Sequence, residues 1–182
     1  ATVKKILGAK YDAGLNHRIV PKFEVNDLDA DDSELLRHKL AEATVTLIKN
    51  DSNFLPLRNL DHQSFLSVSV GADVDNEFNT YLKKYAPFKT VAVKALQDTS
   101  YLFWKPGDVI VLALYPNPQR LENEIAPWLQ RLTKQKKVVI VSFGDPLSLD
   151  EYGEATSIIA AYTDKDYLSQ VVPQMIFGAL NA

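Results

Sequence analysis

Apolar residues recur at helical spacing in several separate stretches of the chain. The first stretch is 2–15, which Gly14 is placed to end, and the second begins at Asp31. Asp31 and Glu34 fit a capping box, and the second helix is predicted to run until Asn50. The apolar positions of these two predicted helices are Val3, Ile6, Leu7 and Tyr11, and then Leu36, Leu40, Ala43 and Leu47. Further helical patterns cover 77–85, 120–134 and 166–179.

Between these patterns lie short apolar runs rich in β-branched residues, which predict buried strands. They cover 65–70, 90–96, 109–114, 138–143 and 157–162, although the alanines of the last also suit a helix. Strands that alternate with helices predict an α/β fold, with a mostly parallel sheet covered on both faces. We therefore expect a flavodoxin-like three-layer sandwich of about five to six strands. The connection 97–107 is barely long enough for a parallel crossover, which leaves room for one antiparallel strand.

Two segments of different character divide the chain. Residues 16–31 lose the apolar periodicity and collect three aspartates, so we interpret 1–31 as a helix followed by an exposed connector. Residues 32–182 then form the sandwich domain. The abrupt start and end suggest a piece of a longer protein.

Composition removes several classes of function. The chain has 182 residues, a net charge of −3 and no cysteine. Disulfides and thiolate chemistry are therefore excluded, and no basic field favours nucleic acid. No apolar run approaches the roughly 20 residues needed to span a bilayer, so we expect no membrane span.

The usual signatures of an active site are also missing. No glycine-rich phosphate loop, nucleophile elbow or paired-histidine motif occurs, so we predict no catalytic residue, no metal and no cofactor in this chain. Glu122 and Glu124 stand where a helix begins, and acidic residues favour the dipole there.

Three loops remain as candidates for contact with a substrate, because ligands of open parallel sheets bind beyond the carboxyl ends of the strands. The side chains singled out in them are Asp73, Tyr115, Asn117 and Asp145. Each loop also contains glycine or proline, which are typical of a simple turn.

Several stretches together resemble the second domain of glycoside hydrolase family 3. The resemblance covers nearly the whole chain and depends on the order and spacing of the stretches. They are 3–15 (Val-Lys-Lys-Ile-Leu-Gly-Ala-Lys-Tyr-Asp-Ala-Gly-Leu), 43–51 (Ala-Thr-Val-Thr-Leu-Ile-Lys-Asn-Asp), 54–57 (Phe-Leu-Pro-Leu), 138–146 (Val-Val-Ile-Val-Ser-Phe-Gly-Asp-Pro), 158–162 (Ile-Ile-Ala-Ala-Tyr) and 176–178 (Ile-Phe-Gly).

This resemblance implies a C-terminal domain packed against a (β/α)₈ barrel that is absent from the chain. Family members are retaining exo-β-glycosidases whose nucleophile lies on the barrel. One branch takes its acid/base glutamate from a glycine-containing loop of the second domain, whereas the loop 115–120 here has neither glutamate nor glycine. The resemblance therefore favours the β-N-acetylglucosaminidase branch, whose acid/base also belongs to the barrel. It further implies a carbohydrate substrate for the whole enzyme and a bacterial periplasmic or cell-surface setting.

Two alternatives stay open. The first is a free-standing flavodoxin-like module that binds a small ligand near 71–73 and 115–117. The second is an independent hydrolase with a carboxylate pair inside these 182 residues, which no complete motif supports.

Overall fold

The computed structural model describes residues 2–16, 31–93, 109–116, 127, 134 and 137–180. Within these residues the helices are α1 (Thr2–Asp12), α2 (Asp31–Thr44), α3 (Glu77–Leu82) and α4 (Asp166–Phe177). The strands are β1 (Thr46–Asn50), β2 (Phe65–Val70), β3 (Phe88–Val93), β4 (Val109–Leu114), β5 (Lys137–Ser142) and β6 (Ser157–Ala160). The predicted helix over 120–134 lies outside the described residues except for Pro127 and Lys134, which are both helical.

The six described strands form one sheet in the order β1-β6-β5-β4-β2-β3. β2 pairs in parallel with both β3 and β4, and β4, β5 and β6 continue the parallel arrangement. The order reverses between β2 and β4, which makes this pair the topological switch point of the sheet. The predicted fold class, a mostly parallel α/β sandwich, is confirmed.

Both faces of the sheet are buried, as the continuous apolar strands predict. β2 and β4 have no residue that is more than slightly exposed. One core contains Phe65, Val111 and Val141 and packs against α3 and α4. The other contains Leu66, Ile110 and Ile140, and packs against the segment that follows β5. Successive side chains point to opposite faces, so neighbouring residues of one strand enter different cores.

The predicted second helix is too long. It ends at Thr44, and 46–50 form β1, which pairs antiparallel with β6. Thr44, Val45, Thr46 and Ile48 are β-branched, and the free edge of β6 provides a ladder that helical geometry cannot use. The predicted stripe is also wrong at Leu36 and Leu40, which are exposed, whereas Ala41 and Val45 are buried.

The antiparallel strand is not where the short connection suggested. The strands on either side of 97–107 are both parallel to β2, and the antiparallel pair is formed by β1 and β6. β1 follows α2 directly, so it enters the sheet at its edge without a crossover. A bulge between Leu47 and Lys49 interrupts the pairing and leaves Ile48 half exposed.

The chain divides into two compact units, residues 1–35 and 36–182. The first contains α1, none of whose residues is buried. The second contains the sheet with both of its cores. In the described part of the chain, no helix is long and apolar enough to cross a membrane.

Candidate functional site

The loops after β2, β4 and β5 meet at the carboxyl edge of the sheet, as expected for adjacent parallel strands. Backbone hydrogen bonds continue the ladder beyond the strands: the Tyr115 amide donates to the Val70 carbonyl at 2.9 Å, and the Phe143 amide donates to Leu114 at 2.8 Å. A Cβ placed on Gly144 would lie 3.6 Å from Cγ of Pro116, so the last two loops are in close contact. The three loops therefore form a rigid surface at the carboxyl edge of the sheet, which we call the platform.

A chain of buried polar side chains joins β2 to α3 beneath this platform. The Ser67 hydroxyl donates to Asn79 Oδ1 at 2.6 Å, and Asn79 Nδ2 donates to Ser69 Oγ at 3.1 Å. Asn76 is the N-cap of α3: its Oδ1 accepts from the Asn79 amide at 2.9 Å, while its Nδ2 donates to Ser69 Oγ at 2.8 Å. Because its members satisfy one another, this network fixes the start of α3 against the sheet.

Tyr115 connects the network to the loop after β4. Its ring is buried and stacks on Phe143 with the ring centroids 4.8 Å apart, and its hydroxyl donates to Asn76 Oδ1 at 3.2 Å. Burial raises the pKa of the Tyr115 phenol well above its usual range, and the Asp164 carboxylate raises it further. Tyr115 therefore stays protonated at neutral pH, so it can donate a hydrogen bond and does not act as a base.

The other predicted side chains lie in different surroundings. Asp145 is exposed and caps the short 3₁₀ helix Pro146–Tyr152, since its Oδ1 accepts from the Leu147 amide at 2.9 Å. Asp73 is exposed, and its backbone carbonyl accepts a hydrogen bond from Asn76. Asn117 lies outside the described residues. Tyr115 is thus the one described member of the predicted set that lines a cavity at this edge.

This cavity has a volume of about 200 Å³ and lies at the switch point between β2 and β4. Its lining comprises Gly71, Ala72, Asn76, Glu77, Tyr115, Pro116, Asp164 and Ser169. Sequence reasoning found the two loops but missed Asn76, Glu77, Asp164 and Ser169. Serines at 67 and 69 in an apolar strand, followed by asparagines at 76 and 79, are the signal that indicates a buried network here.

The lining suits binding by hydrogen bonds and charge. No group of three or more histidine, cysteine or acidic residues that could hold a metal ion occurs in the described part of the chain. None of the described residues that line the cavity is a histidine. His38 contacts Glu42 on α2, with 3.2 Å between Nδ1 and Oε1.

No protein-family model and no curated protein sequence matches this chain. Solved structures do match it. The first is a fungal multi-domain glycoside hydrolase family 3 β-N-acetylglucosaminidase with a GCN5-related glucosamine N-acetyltransferase region; the TM-score is 0.75 and the identity 15% over 90% of this chain and 20% of that one. A β-glucosidase from Listeria innocua in complex with glucose matches with a TM-score of 0.73 and 19% identity, over 96% of this chain and 29% of that one. A family 3 β-N-acetylglucosaminidase from Paenibacillus sp. str. FPU-7 matches with a TM-score of 0.63 and 14% identity, over 99% of this chain and 37% of that one.

These matches confirm, for the fold, the resemblance to family 3 enzymes. The chain spans between 20% and 37% of the length of these three proteins. Its fold is therefore that of one part of larger glycosidases.

Proposed function

We propose that this chain is the non-catalytic C-terminal domain of a retaining exo-β-glycosidase of family 3, with residues 1–31 as helix and connector and 32–182 as the sandwich. The observation that supports the proposal is how much of each chain the structural matches include. Nearly all of this chain matches, yet the match includes only part of each glycosidase. The nucleophile and the acid/base then belong to a separate (β/α)₈ barrel.

The uncovered apolar surface of α1 supports a partner of this kind. Val3, Ile6, Leu7 and Tyr11 are each between 52% and 69% exposed, although they recur at the spacing of one helix face. Water contact with such a face is unfavourable by about 25 cal/mol per Å² of apolar surface. An apolar face of this kind is typical of a surface that another domain covers.

The roles of the described loop residues also support a domain without its own catalytic group. Asp145 caps a 3₁₀ helix, and Tyr115 donates to a network that holds α3 in place. Retaining hydrolysis needs two groups on opposite sides of the scissile bond, about 5–5.5 Å apart where both are carboxyls. We therefore assign both groups to the barrel.

We further propose that the whole enzyme acts on β-N-acetylglucosaminides. The matched structures include β-N-acetylglucosaminidases and a β-glucosidase, so the specificity rests on the sequence of the loop 115–120. That loop has no glutamate to serve as the acid/base that the β-glucosidase branch takes from this domain.

The test compares the 182-residue chain with a chain extended upstream through the barrel, on aryl β-N-acetylglucosaminide and aryl β-glucoside. We expect turnover from the extended chain alone, with the N-acetylated substrate preferred. Hydrolysis by the short chain at a comparable rate would overturn the non-catalytic assignment. A preference for the glucoside would overturn the assignment to the N-acetylglucosaminidase branch.

A second candidate function is a small-ligand module of the flavodoxin-like type. The cavity at the switch point favours it, since this is where such folds bind their ligands.

A further inference from the structure

The turn that follows β6 holds a tyrosine in a strained backbone conformation. Tyr162 has a φ of 65°, which is in the left-handed region. The Thr163 amide donates to the Ala161 carbonyl at 2.8 Å, so Tyr162 is the central residue of a γ-turn with positive φ, which is rare and strained. Asn53 and Asn59 also have positive φ, but asparagine adopts this conformation more readily than a bulky aromatic residue does. Strain of this kind persists only where the surrounding structure enforces it, and it is concentrated at active sites and ligand-binding sites.

This turn lies at the carboxyl edge of the sheet, beside the platform. The Ala161 amide donates to the Ser142 carbonyl at 2.8 Å, which joins the turn to the end of β5. Asp164, two residues after Tyr162, is exposed and lines the cavity at the switch point. Ligands of open parallel sheets bind beyond this edge, so Tyr162 lies where such a ligand would contact it.

The Tyr162 side chain is exposed, yet its hydroxyl is fixed. Tyr162 is 42% exposed, whereas Tyr115 and Phe143 at the same edge are buried. The Tyr162 hydroxyl donates to Thr46 Oγ1 at 3.1 Å, and the Thr46 hydroxyl donates in turn to the Thr44 carbonyl at 3.0 Å. The turn and this hydrogen bond hold both ends of the side chain, so the ring loses little freedom when a ligand contacts it.

An exposed and oriented tyrosine ring near a carboxylate suits a sugar. The faces of a pyranose ring carry C–H groups that pack on an aromatic ring, and its hydroxyls donate hydrogen bonds to a carboxylate such as that of Asp164. A sugar therefore leaves the Asp164 carboxylate hydrogen-bonded. An apolar protein surface over the ring would also have to remove water from that charge, which is unfavourable without a counter-ion.

We propose that Tyr162 binds the carbohydrate substrate of the whole enzyme, with its ring stacked on a pyranose face and the Asp164 carboxylate accepting a hydrogen bond from a sugar hydroxyl. This assignment rests on the glycosidase function proposed above. It adds a substrate-binding residue of this chain to the catalytic groups of the barrel, and Tyr162 takes no part in breaking the glycosidic bond.

The test measures KM and kcat of the chain extended upstream through the barrel, on whichever of the two aryl glycosides it hydrolyses. Y162G removes the ring but keeps the turn, because glycine adopts positive φ freely. Y162A removes the ring and keeps the strain. Both variants should raise KM about two- to ten-fold and leave kcat within about twofold, since stacking binds the sugar equally in the ground state and the transition state.

Y85A is the matched control. Tyr85 is 38% exposed and precedes β3, at the opposite edge of the sheet, so its removal should leave KM unchanged. D164N should raise KM about two- to five-fold. Y162F keeps the ring and loses only the hydrogen bond to Thr46, so it should change KM by less than about twofold. In urea unfolding of the 182-residue chain, Y162G should unfold at a higher urea concentration than Y162A, because glycine relieves the strain.

An unchanged KM in both Y162A and Y162G would overturn the proposal, and a lowered Tm of these extended variants would then indicate that protein covers the ring. A raised KM in Y162A with a normal KM in Y162G would also overturn it, because the turn and not the ring would then determine binding. A Y162A chain more stable than Y162G would overturn the premise that the turn is strained. The absence of turnover by the unaltered extended chain would refute the proposed function itself, so the two failures are distinguishable.

Discussion

α1 and α4 are helices of similar length with apolar residues at helical spacing, but the apolar residues of α4 are buried and those of α1 are exposed. α4 has 12 residues and buries Val171, Val172 and Ile176 completely in the core of the sandwich. α1 has 11 residues and buries none. Apolar periodicity therefore predicts that a helix forms and which face is apolar, but not whether the same chain covers that face. We propose that another domain covers the exposed apolar face of α1.

The largest expected effect is a difference in stability between two variants that carry the same substitution, isoleucine to alanine, in these two helices. I176A on α4 removes a fully buried side chain and should lower the free energy of unfolding by about 2–5 kcal/mol. I6A on α1 removes a half-exposed one and should change it by no more than about 0.5 kcal/mol. Urea unfolding of both variants measures the difference. Equal losses would mean that α1 is packed as firmly as α4.

The polar network beside α3 gives the next effect. N79A leaves the buried Ser67 hydroxyl without its acceptor and removes one of the two hydrogen bonds to Ser69 Oγ, so the free energy of unfolding should fall by about 1–3 kcal/mol. T80A, on the exposed side of the same helix, is the control and should cost no more than about 0.5 kcal/mol. If the two variants proved equally stable, the network would make no net contribution.

Alanine substitutions at two glycines should change stability in opposite directions. Gly178 ends α4 with a φ of 81°, and an added Cβ would lie 2.9 Å from Cβ of Pro56, so G178A should destabilise the sandwich by about 1 kcal/mol or more. Gly8 lies inside α1 with open space around it, so G8A should favour that helix by about 0.5–1 kcal/mol. Urea unfolding tests the first and far-ultraviolet circular dichroism the second. A stabilising G178A would show that the sandwich tolerates a side chain there.

A further modest effect concerns Tyr115. Y115F removes the hydrogen bond to Asn76 and should cost about 0.5–1.5 kcal/mol at neutral pH. Because the folded state raises the pKa of this phenol, the stabilisation from its neutral form is complete below about pH 10, the usual tyrosine pKa, and is lost as the pH rises above it. Unfolding measured between pH 8 and 11 should therefore decline less steeply for Y115F than for the parent. Identical slopes would contradict the raised pKa.

Much of the sandwich could be predicted because local pattern and tertiary packing agree there. β2 and β4 have the predicted bounds, since each is a short apolar run that both faces of the sheet bury. The pattern failed at 46–50, where Leu47 continues a helical stripe but the edge of β6 determines a strand. Residues 46–50 form a strand because they pair with β6, which is distant in sequence.

The candidate site could be predicted in part for the same reason. Tyr115 directly follows a strand, and ligands of open parallel sheets bind beyond the carboxyl ends of the strands, so the sequence alone indicates this residue. Ser169 and Asp164 come from the start of α4 and the loop before it, some 50 residues further along, and nothing local marks them. The fold brings them to the cavity, so no linear motif contains the set.

Hydrogen exchange of the α1 amides tests the central claim most directly, since that claim is that another domain covers this helix. The measurement compares the 182-residue chain with the chain extended upstream, and uses the amides of α4 as the internal reference. We predict slow exchange in α1 only in the extended chain, and the same slow exchange in α4 in both. Equally fast exchange of α1 in both chains would contradict the claim, because no upstream domain would then cover the apolar face of α1.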